Sequence, residues 1–148
     1  MQIIKIEYKI EEYMDLLLEA DLDKNVVMKY LKDGDMYILK DKENVLKEIV
    51  ITKVDDNTCE LKNIATAENA RGKGYASRIM KYVFDMYRAK YKRMIVGTTE
   101  NMIPFYVLNN FTKYHHTVKN FCWQLWRNSM EWRFALHRYV LLFEKIAN

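Results

Sequence analysis

The chain has 148 residues, half of them hydrophobic, and its 24 basic and 20 acidic side chains leave a formal net charge of +4 at pH 7. This length predicts a single domain over residues 1–148 with a core of its own, and the modest, scattered positive charge predicts no nucleic-acid partner. The sequence has neither a signal-peptide pattern at its N-terminus nor a run of about 18 apolar residues, which predicts a soluble, cytoplasmic protein without a membrane partner.

The first part of the chain reads as a strand followed by two helices. Residues 3–8 alternate in hydrophobicity as a strand does, and the next apolar residues lie on one face of a first helix: Ile10, Tyr13, Met14, Leu17 and Leu18. A second helix is predicted to begin at Asp23, which can cap its N-terminus, and to end at Gly34. The apolar face of the second helix consists of Val26, Val27, Tyr30 and Leu31.

A three-stranded meander follows these helices. Its strands are predicted at residues 36–39, 45–54 and 58–66, and polar turns at 41–44 and 55–57 join them.

A glycine-containing stretch, Asn-Ala-Arg-Gly-Lys-Gly-Tyr-Ala at residues 69–76, comes next, just before the clearest helical pattern of the chain. The apolar residues of that helix recur at intervals of three and four: Ala76, Ile79, Met80, Val83, Phe84 and Tyr87. The glycines therefore lie where a strand meets a helix N-terminus, whose free N–H groups and positive dipole end favour an anion. Gly72 and Gly74 let a phosphate group come close to the main chain, and Arg71 and Lys73 add positive charge.

Two glycines alone are equally consistent with an ordinary loop that opens a surface helix, so the surrounding sequence has to decide. A Walker loop needs four residues between its glycines followed by Lys-Ser/Thr, and the dinucleotide fingerprint needs a third glycine where Ser77 stands. The spacing fits neither of them.

The segment from Arg71 to Ala76 resembles instead the acyl-CoA diphosphate loop of the GNAT N-acyltransferase superfamily, whose motif reads Gln/Arg-x-x-Gly-x-Gly/Ala. Residues 94–98, Met-Ile-Val-Gly-Thr, are similar to the strand that follows the loop's helix in that family. Asn101, Pro104-Phe105-Tyr106 and Asn109-Asn110-Phe111 are similar to the family's Asn-x-x-(x)-x-Phe-Tyr-x-x-x-Gly-Phe segment. Two departures stand out, because Ala67 occupies a position where the family often has proline and Asn110 replaces the family's glycine.

The resemblance implies an α/β (α+β-like) GNAT fold, in which a mixed, mostly antiparallel sheet is flanked by helices on both faces. Two central parallel strands would diverge, here residues 61–66 and 94–98, and the thioester of the cofactor would lie between them. The implied function is an N-acetyltransferase that moves an acetyl group from acetyl-CoA to a primary amine by direct attack, without a metal. The two early helices would wall the acceptor site, or else only cover the sheet.

The resemblance also implies which residues form the site. The cofactor-binding residues would be Ile64, Ala65, Thr66, Arg71, Gly72, Lys73, Gly74, Tyr75, Ala76, Ser77, Asn101 and Tyr106. Tyr106 is the candidate general acid for the departing thiolate, and Glu60, Glu48 or a water is the candidate base for the amine. Each of these side chains also has an ordinary explanation, Tyr106 as a packed aromatic and the two glutamates as solvated carboxylates.

The tail, residues 121–148, is atypical of that family. It contains Trp123, Trp126 and Trp132, which fit either an aromatic-rich element packed on the core or on a second subunit, as in a homodimer, or a shifted reading frame. Residues 139–143 could form the last strand, although Trp126, Met130, Arg133, His137 and Val140 are spaced as well for a helix.

The remaining chemistry-bearing residues predict no further site. Cys59 and Cys122 are isolated thiols, and His115 and His116 would point to opposite faces of a strand, so neither pair predicts a metal site. Two other functions stay open: an acyl-CoA-binding module without turnover, and a structural dimer whose loop holds only a stray anion. The sequence does not identify the acceptor amine.

Overall fold

The computed structural model describes residues 1–114 and 139–145. The three tryptophans, the three histidines and Cys122 lie outside these ranges, so the interpretations of the tail, the homodimer and the histidines stay predictions.

Seven described strands form one sheet in the order β1-β2-β3-β4-β5-β7-β6. They are β1 (Gln2–Ile6), β2 (Asp35–Asp41), β3 (Asn44–Lys53), β4 (Thr58–Thr66), β5 (Arg93–Thr99), β6 (Thr112–Tyr114) and β7 (Tyr139–Lys145). Only β4 and β5 pair in parallel, and the other described pairings are antiparallel. The mixed, mostly antiparallel sheet is thus confirmed, and residues 139–143 belong to a strand.

Helices cover both faces of the sheet. They are α1 (Met14–Leu17), α2 (Lys24–Leu31), α3 (Tyr75–Tyr87) and α4 (Ile103–Leu108). Neighbouring residues of a strand point to opposite faces, so Met36 and Val50 pack with α1 and α2, whereas Leu39 and Ile49 pack with α3 and α4. The core therefore lies in two layers, one on each side of the sheet, as predicted.

The predicted faces of α2 and α3 are both buried. Val26, Val27, Tyr30 and Leu31 of α2 are buried, as are Ile79, Met80, Val83, Phe84 and Tyr87 of α3. Asp23 caps α2, because its Oδ1 accepts hydrogen bonds from the N–H groups of Asn25 at 2.9 Å and Val26 at 3.4 Å.

The first helix differs from its prediction. A 3₁₀ turn spans Ile10–Tyr13 and only Met14–Leu17 are α-helical, because Tyr13 at the junction has φ −105° and ψ 7°, outside the α region. The first strand also ends earlier than predicted, at Ile6, because its partner β2 begins at Asp35 and Ile6 pairs with Met36.

The two departures from the family motif keep the backbone geometry that the motif residues would have. Ala67 has φ −53°, within the range that a proline ring imposes, and Asn110 has φ 69°, in the left-handed region that glycine favours and asparagine tolerates.

Within the part of the chain that the structure describes, no helix has the length and apolar character needed to cross a bilayer.

The close approach of α2 to β3 at Gly34 predicts a destabilising substitution. A Cβ at Gly34 would lie 2.9 Å from the Tyr30 carbonyl oxygen and 3.0 Å from Cγ1 of Val50, so Gly34→Ala should lower the free energy of unfolding by roughly 1–3 kcal/mol. Gly97→Ala is the matched control, because a Cβ there meets no atom within 4 Å. Denaturant unfolding of both variants measures the difference, and equal stabilities would contradict the close packing at Gly34.

Candidate active site

The central feature of the site is the point at which β4 and β5 part. Their parallel pairing runs from Thr58 with Arg93 to Leu61 with Val96, and no pair follows. On the other side of β4, Ile51 pairs with Leu61 and Val50 with Asn63, so Lys62 is the extra residue of a β-bulge. A bulge bends its strand. Beyond it, the two strands border an open cleft of about 900 Å³.

The glycine loop and the start of α3 form one wall of this cleft. Gly72 and Gly74 have φ angles of 71° and 75°, and a Cβ on either would meet no protein atom within 4 Å. Gly74 is the N-cap of α3 and gives the helix no side-chain cap, so the first-turn N–H groups of Tyr75, Ala76 and Ser77 have no side-chain acceptor there. All five residues line the cleft. This wall can therefore bind an anion through backbone donors.

Two cationic side chains, Arg71 and Lys73, belong to the glycine loop. Arg71 Nη2 lies 2.9 Å from Glu19 Oε2, and Arg71 Nε donates to the Thr66 carbonyl at 3.4 Å. Lys73 Nζ donates to the Asn69 carbonyl at 3.0 Å. Arg71 and Glu19 are both about half exposed, and exposed ion pairs are weak, so an anionic ligand can compete for the guanidinium at little cost.

A third cation in the cleft is absent from the predicted site. Lys47, on β3, is 3% exposed, lines the cleft and donates from Nζ to Thr66 Oγ1. Burial lowers the pKa of its ammonium to about 8, although the nearby charge of Glu48 acts in the opposite direction. In the sequence Lys47 looks like an ordinary polar strand residue. Only its pairing with Thr66 across β3 and β4 brings it to the cleft.

Most of the predicted site residues meet at this one place. Those that line the cleft are Ile64, Ala65, Thr66, Arg71, Gly72, Lys73, Gly74, Tyr75, Ala76, Ser77 and Tyr106. Asn101 is exposed in a 3₁₀ turn at its rim, where it hydrogen-bonds with the Thr99 hydroxyl. Glu48 and Glu60 are buried and are not among the residues that line the cleft.

Tyr106 is buried at the cleft by two aromatic neighbours. Its α4 helix has Pro104 in the first turn, as predicted, and its ring makes edge-on contacts with Phe105 and Phe111 at centroid distances of 5.1 and 5.4 Å. Among the described residues, none hydrogen-bonds to its hydroxyl. Burial, with a smaller contribution from the charge of Glu48, raises the pKa of Tyr106, so the phenol stays protonated and can donate a proton.

The two candidate carboxylates have different surroundings. Glu60 is 3.4 Å from Lys62 Nζ, and burial raises its pKa while the Lys62 ammonium lowers it. Glu48 is fully buried, and burial raises its pKa to about 8 against the opposing effects of the Lys47 charge and the Ala65 amide. A carboxylate whose pKa lies near neutrality can exchange protons under physiological conditions.

Cys59 is a buried free cysteine, and burial raises the pKa of its thiol to about 12, so it is unreactive at neutral pH. No cluster of three or more His, Cys, Asp or Glu side chains within the described ranges is arranged to hold a metal ion.

Comparison with known proteins identifies the class to which this fold and cleft belong. Residues 32–113 match the family model of the acetyltransferase (GNAT) domain, and this match covers more than half of the chain. The chain therefore belongs to the GNAT acetyltransferase family, which confirms the resemblance read from its motifs.

Individual relatives agree with this assignment. Over 83 residues the chain is 34% identical to an uncharacterized N-acetyltransferase, YvbK, from Bacillus subtilis, and the match spans 54% of each chain, about half the length of that protein. A GNAT family acetyltransferase from Elizabethkingia anophelis, solved with acetyl-CoA bound, superposes with a TM-score of 0.82 and 27% identity over 97% of both chains. A Bacillus subtilis acetyltransferase in complex with CoA gives a TM-score of 0.77 at 21% identity, again over 97% of both chains, which supports the fold.

The burial of Glu48 predicts a specific pH dependence of stability. Because its pKa is higher in the folded protein than in the unfolded chain, its contribution is fully present below about pH 4.5 and is lost as the pH rises to about 8. We expect wild type to lose on the order of a few kcal/mol of unfolding free energy relative to Glu48→Gln between pH 5 and pH 8. Denaturant unfolding at several pH values measures this.

The control is Glu43→Gln, which removes an exposed carboxylate from the turn between β2 and β3. The difference in unfolding free energy between Glu43→Gln and wild type should stay constant from pH 5 to pH 8. If the difference in unfolding free energy between Glu48→Gln and wild type is also independent of pH, Glu48 does not retain its proton in the folded protein.

Proposed function

We propose that this protein transfers an acetyl group from acetyl-CoA to a primary amine by direct attack of the amine on the thioester. The observation that carries the proposal is the parting of β4 and β5 beyond Leu61 and Val96, with an uncapped helix N-terminus at the same cleft. Such a gap leaves strand backbone groups for an extended amide chain to pair with. The helix end supplies donors for a diphosphate.

In the proposed position, the cofactor contacts both the N-terminus of α3 and the free backbone edge of β4. The diphosphate lies against the loop from Arg71 to Ser77, and the pantetheine arm runs along β4, with Ile64 and Thr66 as its backbone partners. Lys47, whose ammonium already donates to Thr66, adds a donor for an oxygen of the cofactor on this side. The similarity to a protein solved with acetyl-CoA supports acetyl-CoA as the donor.

The proposed chemistry needs one proton acceptor and one proton donor. The neutral amine attacks the thioester carbonyl carbon, the C–N bond forms, and the C–S bond breaks with the electron pair leaving on sulfur. The amine's proton passes to Glu48, Glu60 or a water, and Tyr106 donates its proton to the thiolate. The buried, protonated phenol of Tyr106 at the cleft supports the second role.

The homodimer and the cytoplasmic location also stay part of the proposal. Light scattering at tens of micromolar protein reports the mass of the particle, and a monomer would remove the homodimer.

Acetyl-CoA binding should depend on the absence of a side chain at Gly74. Valine would place its Cβ in the open cleft and would strain a backbone with φ 75°, so Gly74→Val should weaken acetyl-CoA binding by roughly tenfold or more. Titration calorimetry measures the affinity.

Lys42→Val is the matched control, because Lys42 also has a positive φ, 52°, but lies in the turn between β2 and β3, away from the cleft. It should leave the affinity for acetyl-CoA unchanged. A folded Gly74→Val protein with unchanged affinity would refute the loop assignment.

Removal of the Tyr106 hydroxyl should slow turnover without weakening cofactor binding. Tyr106→Phe keeps the packed ring and should lower kcat by about a hundredfold to ten-thousandfold, followed as release of free thiol while amines are screened. Tyr82→Phe, which removes a hydroxyl from the exposed side of α3, should keep the wild-type rate. If Tyr106→Phe keeps the wild-type kcat from neutral to alkaline pH, Tyr106 is excluded as the proton donor.

Acetyl-CoA binding without thiol release for any amine would favour a binding module over an enzyme.

A further inference from the structure

Three buried side-chain polar atoms have no hydrogen-bond partner among residues 1–114 and 139–145. They are Oε1 and Oε2 of Glu48 and Oδ1 of Asn63. Buried polar groups are almost always paired in folded proteins, so each unpaired one calls for an explanation. All three are oxygens on the neighbouring strands β3 and β4. Below about pH 8 Glu48 holds a proton, so one of its oxygens can donate, whereas Asn63 Oδ1 can only accept.

These oxygens lie on one face of the sheet. Val50, which packs with α1 and α2, is the cross-strand partner of Asn63, and Glu48, two residues before Val50 on β3, faces the same way. Tyr30 of α2 connects them, because its hydroxyl accepts a hydrogen bond from Asn63 and its pKa is raised by burial and by the charges of Asp21 and Glu48. The three unpaired oxygens therefore lie on the same face of the sheet, the one that α1 and α2 cover.

The orientation of the Asn63 amide follows from its partners. Asn63 Nδ2 donates to the Leu17 carbonyl at 3.0 Å and to the Tyr30 hydroxyl at 2.7 Å. A carbonyl oxygen only accepts, so exchanging the amide nitrogen and oxygen would set two acceptors against each other. The amide is thus fixed with Nδ2 facing α1 and α2 and with Oδ1 on the other side of the amide group. Asn63 is also one of the residues that line the cleft.

The charges around the cleft divide it into two halves. The cations Lys47, Arg71 and Lys73 border the cofactor half. The half next to Asn63 has on its lining Glu19, which pairs with Arg71, and Lys62, which pairs with the buried Glu60. The partly buried Asp21, whose pKa is raised by burial, is a further acidic residue of this region. A ligand for this half needs several N–H donors and gains from a positive charge. A protonated aliphatic amine offers three N–H donors, whereas a hydroxyl offers one.

We propose that Asn63 is the residue that receives the acceptor nitrogen, through a hydrogen bond from the amine to Oδ1, and that the acceptor is an aliphatic primary amine that arrives protonated. This inference rests on the proposed function, because it places the acceptor across the gap from the thioester. The Leu17 carbonyl and the Tyr30 hydroxyl hold the amide with Oδ1 free to accept, and the incoming amine has to displace the groups that enclose this oxygen.

Two nearly isosteric variants separate this role from a structural one. Asn63→Asp and Asn63→Leu both remove the amide N–H groups that donate to the Leu17 carbonyl and the Tyr30 hydroxyl. Only aspartate keeps an oxygen at the position of Oδ1, and its second oxygen, when protonated, can donate to the Leu17 carbonyl in place of Nδ2. With 4-amino-1-butanol as the probe amine, Asn63→Leu should raise KM by about tenfold or more, and Asn63→Asp should keep it within about threefold of wild type. Calorimetry should give the same acetyl-CoA affinity for all three proteins. Equal KM values for the two variants would reduce Asn63 to a structural residue and overturn the proposal.

The class of acceptor is tested with aniline, a primary amine that is neutral at pH 7. Wild type should acetylate 4-amino-1-butanol at least about tenfold more efficiently than aniline, and equal efficiency would overturn the charged-amine assignment.

A binding measurement keeps the inference testable if no turnover is found. NMR line broadening of 4-amino-1-butanol in the presence of the CoA-loaded protein should appear with wild type and Asn63→Asp and disappear with Asn63→Leu. That pattern without thiol release would mean that the proposed reaction is wrong and the amine site is right. Absence of binding to wild type would overturn the amine site itself.

Discussion

The arrangement of this protein depends on four residue pairs between two parallel strands. β4 and β5 are paired only from Thr58 with Arg93 to Leu61 with Val96, and the bulge at Lys62 ends the pairing. A parallel connection needs a crossover, and here the crossover is α3. Its N-terminus therefore lies at the end of β4 where the strands part. The same constraint that opens the sheet brings an anion-binding helix end to the opening.

Sequence reasoning predicted the features that depend on local chemistry. The positive φ angles needed Gly72 and Gly74, the α3 face follows a repeat of three and four residues, and Asp23 is a side chain that caps helices. Sequence reasoning could not predict features that depend on how neighbouring strands are paired, residue by residue. Lys47 reaches the cleft because it pairs with Thr66, and a shift of one residue would have turned it to the other face.

The same limit applies to the half of the cleft next to Asn63. Asn63 in the sequence is one polar residue in an apolar strand, and its fixed orientation arises from Leu17, far away in the chain, and from Tyr30. Glu48 was predicted by resemblance, but its complete burial depends on packing from both neighbouring strands and on the helices above. Adjacent residues of β3, Lys47 and Glu48, thus point to opposite faces of one sheet, Lys47 to the cleft and Glu48 into the core layer under α1 and α2.

The ion pair between Arg71 and Glu19 links the two halves of the cleft. Arg71 belongs to the glycine loop, and Glu19 follows α1 on the other side of the cleft, so the pair joins two walls of the cleft. A diphosphate that takes the guanidinium leaves the Glu19 carboxylate without its countercharge. The part of the cleft next to Glu19 would then be more negative and would attract a cation more strongly. By thermodynamic reciprocity a cation bound near Glu19 would in turn favour the anion, so the proposed cofactor and amine would be weakly coupled through this surface ion pair.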